Sequence, residues 1–245
     1  MTAFLAEIRD TLVWNRDSPH GPLPPLLVSL TLVTGLVDAF SYLVLGHVFV
    51  ANMTGNVVLL GFALVGAPGF SIKASLVAIA SFVAGSMAGG RIGSHFGDHR
   101  GRLLGLGAAV QCGFLATGMT LAALSTTPIA TGYHYSLIVV LAVGMGIQNA
   151  TARKLTVPDL TTTVLTLTIT GIAADSSIGG GPGSKAGRRL VAVGTMLAGA
   201  VIGASFIVHH QIVFPLVIAV IVTLGVGAIA GRLGSSNPAW TRSKS

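Results

Sequence analysis

The sequence predicts an all-α polytopic membrane protein in which six transmembrane helices and two short re-entrant half-helices form two inverted-topology 3+3 repeats. Three observations lead to this fold class: the composition, the lengths of the apolar segments and the positions of the basic residues. Of the 245 residues, 52% are hydrophobic and only 9% are charged. Soluble domains carry about 25% charged residues, so this composition is typical of a chain that lies mostly within a bilayer.

Eight apolar segments account for most of the chain. They cover residues 26–46, 54–67, 72–91, 103–124, 135–152, 160–174, 189–208 and 212–231. Six of them are long enough to cross roughly 30 Å of hydrocarbon at about 1.5 Å per residue. The second and the sixth are shorter, in the range of re-entrant or half-membrane helices.

The basic residues distinguish eight crossings from six. If all eight segments crossed, Arg91, Arg100 and Arg153 would lie outside, against the preference of Lys and Arg for cytoplasmic loops. If the two short segments instead return to the side from which they enter, all of the 14 Lys and Arg residues except Lys73 are cytoplasmic. The sequence therefore predicts six spans, two hairpins and two cytoplasmic termini.

The domain boundaries follow from these segments. The N-terminal segment is expected to be cytoplasmic and to begin with either an interfacial amphipathic helix or a frayed terminus. The predicted units are the N-terminal segment 1–25, repeat 1 over 26–124 with its hairpin at 46–67, an external loop at 125–134, repeat 2 over 135–231 with its hairpin at 155–174, and a cytoplasmic tail at 232–245.

Two parts of the chain resemble each other in the same order. Gly35–Ala39 aligns with Gly146–Ala150 at an offset of 111, and Thr54–Asn56 aligns with Thr166–Thr168 at 112. Chance similarity between apolar helices is the alternative explanation. If the repeat is real, its three spans per half make the two halves inverted, as in many secondary transporters. In those folds the site lies near the midplane, where interrupted segments meet.

The interrupted segments carry the candidate site. A helix that starts within the membrane offers free N–H groups and a positive dipole end to an anion or a polar group. The candidate solute-binding residues are Asn52, Thr54, Gly55, Asn56, Gln148, Asn149, Thr162, Thr163 and Thr166. The threonines also have a plain structural explanation, because Thr hydroxyls bond to the preceding turn of a helix.

Asp38 is the candidate coupling residue. It is the one acidic residue well inside an apolar span, where a carboxylate is expensive and by default indicates a proton carrier, a cation ligand or a counter-charge. The structural alternative is a protonated Asp38 bonded to Asn149 on a neighbouring helix. Both explanations stay open at this point.

Several function classes are not expected. The apolar segments contain no nucleophile–base pair, no paired carboxylates and no zinc-ligand spacing, so the sequence predicts no enzyme, no cofactor and no metal. The net charge is +7, and the basic residues lie in short connections between the apolar segments. This distribution is typical of membrane-protein loops and argues against nucleic-acid binding. The expected partners are the lipid bilayer and a small-molecule solute. The Gly85 and Gly89 spacing fits close helix packing, within the chain or in a homo-oligomer.

At these residues the chain resembles the YoaK-like family of bacterial inner-membrane proteins, a family without an assigned function. The resemblance is carried by Gly35–Ala39, Ala51–Asn56, Gln148–Ala150 and Pro158–Thr162, and it spans roughly residues 26–232. Leu167 departs from the pattern, because Gly is common at that position in the family. The resemblance implies a multi-pass protein of the bacterial cytoplasmic membrane and supplies no substrate.

Three functions are compatible with these features. The favoured one is a small secondary transporter of a small polar or anionic solute, with Asp38 as a proton- or cation-coupling group. The second is an uncoupled channel or facilitator of the same fold. The third is a membrane scaffold or assembly factor, in which the polar side chains only hold helices together.

Overall fold

The computed structural model describes residues 2–14, 18–125, 129, 131–160, 162, 165–176, 185–235 and 239–242. Its helices are α1 (Thr2–Leu12), α2 (Leu23–Val44), α3 (Met53–Leu64), α4 (Ile72–Phe96), α5 (Arg100–Leu124), α6 (Thr131–Leu155), α7 (Leu165–Ala174), α8 (Ala186–Val208) and α9 (Phe214–Gly234). Within these residues, six helices are long and apolar enough to span a membrane: α2, α4, α5, α6, α8 and α9. The predicted six spans and two short helices are confirmed.

The helix starts follow from local sequence. Prolines stand in the first turn of α2, where their missing N–H groups have no intrahelical partner to lose. Asn52 caps α3 by accepting a hydrogen bond from the Gly55 amide (3.3 Å), and Ser71 caps α4 by accepting one from the Ala74 amide (3.2 Å). α6 begins within the predicted external loop 125–134, because the polar start of this helix carries no apolar signal.

Glycines bring the helices into close pairs. A Cβ atom added to Gly35 of α2 would overlap the backbone of α8 at Met196, and one added to Gly146 of α6 would overlap the backbone of α4 at Phe82. These two contacts are related by the offset of 111 between the glycines and of 114 between their partners. The inverted repeat stays a prediction, which this duplicated contact supports.

The relative directions of the helices can be followed from side-chain contacts. His134 Nε2 lies 2.9 Å from the carbonyl oxygen of Leu45, whereas Gln148 Nε2 donates to the carbonyl oxygen of Leu30 (3.3 Å). The start of α6 therefore lies beside the end of α2, and these two helices run antiparallel. Gly85 and Gly89 of α4 lie against α6 of the same chain. Their spacing is thus used within one molecule, and a homo-oligomer stays a prediction.

The basic residues gather at one end of the bundle. We call this end the basic face; it holds the starts of α2, α5 and α8 and the ends of α4, α6 and α9. There the Arg100 guanidinium donates to the carbonyl oxygen of Leu155 and lies 3.2 Å from Nδ1 of His20. Among the described residues, every Lys and Arg except Lys73 lies toward this face. Lys73 is at the opposite face, 4.5 Å from the centre of the Tyr135 ring.

The first short segment, residues 45–71, enters and leaves at the opposite face; we call it the first hairpin. Its two ends meet where Nδ1 of His47 lies 3.0 Å from the carbonyl oxygen of Gly69. The His47 ring also lies 5.8 Å from the ring of Phe70. Because its ends touch, this segment does not cross the membrane.

The second short segment, residues 156–176, enters and leaves at the basic face; we call it the second hairpin. Arg189, in the first turns of α8, joins its two ends. Arg189 Nε lies 2.9 Å from Asp159 Oδ1, and Arg189 Nη1 lies 2.7 Å from Asp175 Oδ2. Both short segments are therefore re-entrant, as the distribution of basic residues predicts.

The N-terminal segment forms the helix α1, which packs against α8 and α2. Glu7 Oε2 accepts a hydrogen bond from the Gly187 amide (3.0 Å) at the start of α8. Leu5 and Leu12 remain exposed on α1. An exposed apolar stripe on a helix at the end of a membrane bundle is typical of an interfacial position.

Candidate functional site

Asp38 lies on α2 and turns toward the first hairpin. Its side chain is buried, and Oδ1 accepts hydrogen bonds from the amides of Val50 (3.2 Å) and Ala51 (2.9 Å). These amides belong to the non-helical stretch that leads into α3. Oδ2 is buried and has no hydrogen-bond partner among the described residues. The carboxylate thus occupies the place near the α3 N-terminus where the sequence predicts a bound anion.

Asn56 folds the first hairpin onto itself. Its Oδ1 accepts from the Phe49 amide (2.9 Å), and its Nδ2 donates to the Phe49 carbonyl oxygen (2.6 Å). The residue is fully buried. Asn52 is engaged as the cap of α3, next to Gly55, whereas Thr54 is exposed. Three of the four candidate solute-binding residues in the first half therefore stabilise the first hairpin. Solute binding by these residues stays a prediction.

Gln148 belongs to a different place, a polar cluster buried between α2, α5 and α6. Its Nε2 donates to Thr34 Oγ1 (2.9 Å), and its Oε1 accepts from Gln111 Nε2. Gln111 and Thr151 are also buried, and Gln111 Oε1 and Thr151 Oγ1 have no partner among the described residues. Buried polar atoms are usually paired with protein or water, so these two atoms are exceptions within the cluster.

Gln111, Thr34 and Thr151 are not among the candidate site residues that the sequence predicts. One signal for this cluster is the polar side chain of Gln111 inside the largely apolar segment 103–124. A polar side chain in such a segment usually faces the bundle interior. Its partner on another helix has no sequence signature.

Asn149 lies beside the cluster but faces a cavity between α4 and α6. The cavity has a volume of about 810 Å³, and its wall includes Ser86, Arg153, Lys154 and Thr156. Asn149 Nδ2 donates to the Met145 carbonyl oxygen (3.4 Å). The cavity is thus lined by two basic residues and several hydroxyl groups close to the basic face.

The second hairpin contributes less that can be described. Thr162 is buried at a positive φ of 63°, and its Oγ1 has no partner among the described residues. Thr166 is exposed, and Thr163 lies outside the described residues. The main contact of α7 is α8, and that of α3 is α4. The candidate residues therefore form separate groups and not the one midplane site that the sequence predicts.

Asp38 and Asn149 do not bond to each other in the way that the structural alternative predicts. Asp38 stands six residues before the end of α2 and Asn149 six residues before the end of α6. Because these helices are antiparallel, the two residues lie toward opposite faces. Each lies about 9 Å from the end of its helix at 1.5 Å per residue, which is between the end and the middle of the span.

No metal centre is assembled in the described part of the chain, where no three His, Cys, Asp or Glu side chains lie close enough to share an ion. His47 contacts the Gly69 carbonyl oxygen, and His209 Nδ1 lies 2.7 Å from the carbonyl oxygen of Ser205. The arrangement of Asp38, by contrast, can hold or release a proton beside a polar hairpin.

Comparison with known proteins is consistent with this architecture. Residues 26–238 match a family described as "Protein of unknown function (DUF1275)". The chain belongs to this family. It is similar to the UPF0700 transmembrane protein YoaK of Bacillus subtilis (strain 168), with 36% identity over 152 residues, which are 62% of this chain and 66% of that protein, just under two thirds of its length. No solved structure gives a significant match. The chain is thus a multi-pass membrane protein, and the resemblance to YoaK-like proteins is confirmed.

Proposed function

We propose that this protein is a secondary transporter of a small polar or anionic solute in the bacterial cytoplasmic membrane, with Asp38 as its proton-coupling group. The observation that carries the proposal is the divided environment of Asp38. The amides of Val50 and Ala51 bond to one carboxylate oxygen, and the Asn52 amide interacts more weakly with the carboxylate. The other oxygen is buried and accepts no hydrogen bond from a described residue. An ionisable group inside a span is costly and is by default a functional residue.

The charge of Asp38 and the position of the first hairpin are linked. Hydrogen bonds to an ionised acceptor are roughly twice as strong as those between neutral groups. Protonation of Asp38 therefore weakens its hold on Val50 and Ala51 and removes a charge from the span. A proton taken up from one side would loosen the hairpin, and its loss would fasten the hairpin again.

The duplicated helix contacts support alternating access. Gly35 and Gly146 let α2 meet α8 and α6 meet α4 in the same manner. In inverted repeats, such equivalent halves exchange their conformations as the site opens to one side and then to the other. The basic face would be cytoplasmic, with both termini, because Lys and Arg concentrate on that side of bacterial membrane proteins.

One observation favours the scaffold as a second candidate. The amides of Asn52, Asn56 and Gln148 are all engaged within the protein. In that case the polar side chains only fix the helices, and a partner protein would carry the function.

Proteoliposomes that contain a pH-sensitive dye test the proposal. A panel of small carboxylates, inorganic phosphate and small neutral polar solutes is added outside under an imposed pH gradient. We expect at least one solute to drive proton movement, and Asp38→Asn to abolish it while solute exchange persists. Asp98→Asn, at an exposed position outside the spans, is the matched control.

The alternatives differ when uptake of the radiolabelled solute is measured beside the dye signal. Solute flux that does not depend on Asp38 would identify an uncoupled facilitator. An absence of solute-dependent flux over the whole panel, with Asp38→Asn only lowering protein abundance, would overturn transport and favour the scaffold.

A further inference from the structure

The cavity between α4 and α6 differs in charge from the equivalent place in the first half. We propose that it binds a small organic anion, whose carboxylate or phosphate group supplies the negative charge that Asp38 supplies in the first half. Naming this anion as the transported solute rests on the proposed function. The existence of the binding site does not, because it is tested by equilibrium binding alone.

The first argument is position. Asn149 follows Asp38 by 111 residues, the same offset that relates Gly146 to Gly35. Those glycines make the same helix contact in the two halves. Where the first half places an acid beside its hairpin, the second half places a neutral amide on the wall of a cavity. The second half thus lacks the built-in negative charge.

The second argument is the uncompensated positive charge. Arg153 and Lys154 both line the cavity, and neither forms an ion pair with a described residue. α4 and α6, which form its walls, contain no Asp or Glu. Both side chains are exposed, so they attract an anion at the mouth of the cavity, and salt weakens this attraction.

Lys154 packs against α4 through the stem of its side chain. Its stem crosses α4 where that helix has glycines: a Cβ atom on Gly93 would lie 3.3 Å from Lys154 Cγ, and one on Gly97 would lie 2.7 Å from Lys154 Cε. The glycines let the lysine chain lie flat along α4. A side chain that is ordered before binding loses less entropy when the ligand arrives.

The size and the lining of the cavity indicate the ligand class. Its volume of about 810 Å³ falls in the range of small-molecule sites, about 300–1,000 Å³. Phe82, Gly90 and Ala150 make part of the wall apolar, and Ser86 and Ser94 add hydroxyl groups. This lining fits an anionic group attached to an apolar body. A free carboxylate has that chemistry, and so has the phosphate headgroup of a lipid.

Two variants separate the cavity from its surroundings. A Cβ atom on Gly90 would have no heavy atom within 4 Å, so Gly90→Leu has space for its first side-chain atom and takes up part of the cavity. Gly113→Leu is the matched control, because Gly113 of α5 is equally open and lies elsewhere. Lys154→Gln removes one charge of the cavity, and Arg102→Gln removes an exposed charge near the same face outside it.

The experiment is calorimetric titration of the full-length protein in nanodiscs of phosphatidylcholine. The probes are benzoate, succinate and inorganic phosphate, with benzamide as the neutral counterpart of benzoate. We expect at least one anion to bind and benzamide not to bind. Gly90→Leu and Lys154→Gln should each weaken that binding by at least about tenfold, since a hydrogen bond to a charged group is worth a factor of that order. The two control variants should bind as the unaltered protein does.

A lipid arm distinguishes the two sources of the anion. In nanodiscs with phosphatidylglycerol, native mass spectrometry measures retained lipid. Retention that is lost in Gly90→Leu and Lys154→Gln, without binding of a soluble probe, supports the site and assigns it to a headgroup. The proposal is overturned if Gly90→Leu and Lys154→Gln change neither the binding of any soluble anion nor the retention of the lipid.

The site and the proposed transport function can fail separately. Asp38→Asn should end coupled flux and leave anion binding in the cavity unchanged, because Asp38 is on α2 and does not line the cavity. Binding that is present without any flux would keep the site and reject transport. Coupled flux that is unaffected by Gly90→Leu would keep transport and reject the cavity as its site.

Discussion

Replacing Asp38 with alanine removes the one described side-chain acceptor for two buried amides. Val50 is fully buried and Ala51 is 3% exposed, so water has little access to their N–H groups. A buried donor left without a partner costs about 1–3 kcal/mol. Two such donors make the local closing of the first hairpin less favourable by about 2–6 kcal/mol. Asp38→Asn keeps a neutral acceptor and should lose about half as much, since a charged acceptor roughly doubles the bond strength.

Hydrogen exchange of residues 48–52 measures this loss directly. Because each 1.4 kcal/mol is a factor of ten in an equilibrium constant, Asp38→Ala should speed exchange by at least about thirtyfold. Asp38→Asn should fall between Asp38→Ala and the unaltered protein. Thr31, a buried residue of α2, provides the control. Its Oγ1 donates to the Leu27 carbonyl oxygen of its own helix. Thr31→Ala should therefore leave the exchange of the first hairpin unchanged.

Two results would refute this reasoning. If Asp38→Ala left the exchange of residues 48–52 unchanged, the carboxylate would not hold the hairpin. If Asp38→Asn and Asp38→Ala gave equal exchange rates, the charge of Asp38 would not matter, and protonation could not act as a switch. Either result would remove the physical basis for proton coupling through the first hairpin.

Three further predictions test the fold. Gly35→Ala and Gly146→Ala should each destabilise the protein by a similar amount, about 1–3 kcal/mol for an overpacked contact, whereas Gly113→Ala should not. Thermal unfolding in detergent measures the stability of all three variants. Unequal losses of stability at Gly35 and Gly146 would count against equivalent halves. Arg189→Gln should increase hydrogen exchange in α7 and not in α3, because Arg189 joins the ends of the second hairpin alone. Lys73→Cys should react with an impermeant maleimide added outside intact cells, and labelling only after lysis would contradict the proposed orientation.

The sequence could predict the spans because length and hydropathy act on whole segments. It could also predict that residues 45–71 return to their own side, since the positions of Arg91, Arg100 and Arg153 constrain the number of crossings. The start of α6 at Thr131 was not predicted, because the first turn of that helix is polar and lies outside the apolar segment. Helix ends of this kind depend on packing, which composition does not report.

The candidate site was predicted less well, for a physical reason. Asp38 was recognisable from its charge, but its partners are the backbone amides of Val50 and Ala51. Any residue type has such amides, so no sequence pattern marks them. The contact between Gln111 and Gln148 joins two helices that are distant in sequence. Such pairs are set by helix rotation and crossing geometry, and a single sequence does not contain that information.

The two hairpins are fastened by different chemistry, and this difference bears on which one moves. The second hairpin is tied by Arg189 to two carboxylates, a charged contact at each end. The first is tied at its ends by one hydrogen bond of His47, and at its inner turn by Asp38. All of these carboxylate contacts are charge-assisted, but those of Arg189 lie at the end of the bundle, where Asp175 is half exposed. Among these contacts, those of Asp38 lie inside a span, and their strength changes when a single proton binds to the carboxylate. The first hairpin is therefore the element that proton uptake would release, while Arg189 keeps the second in place.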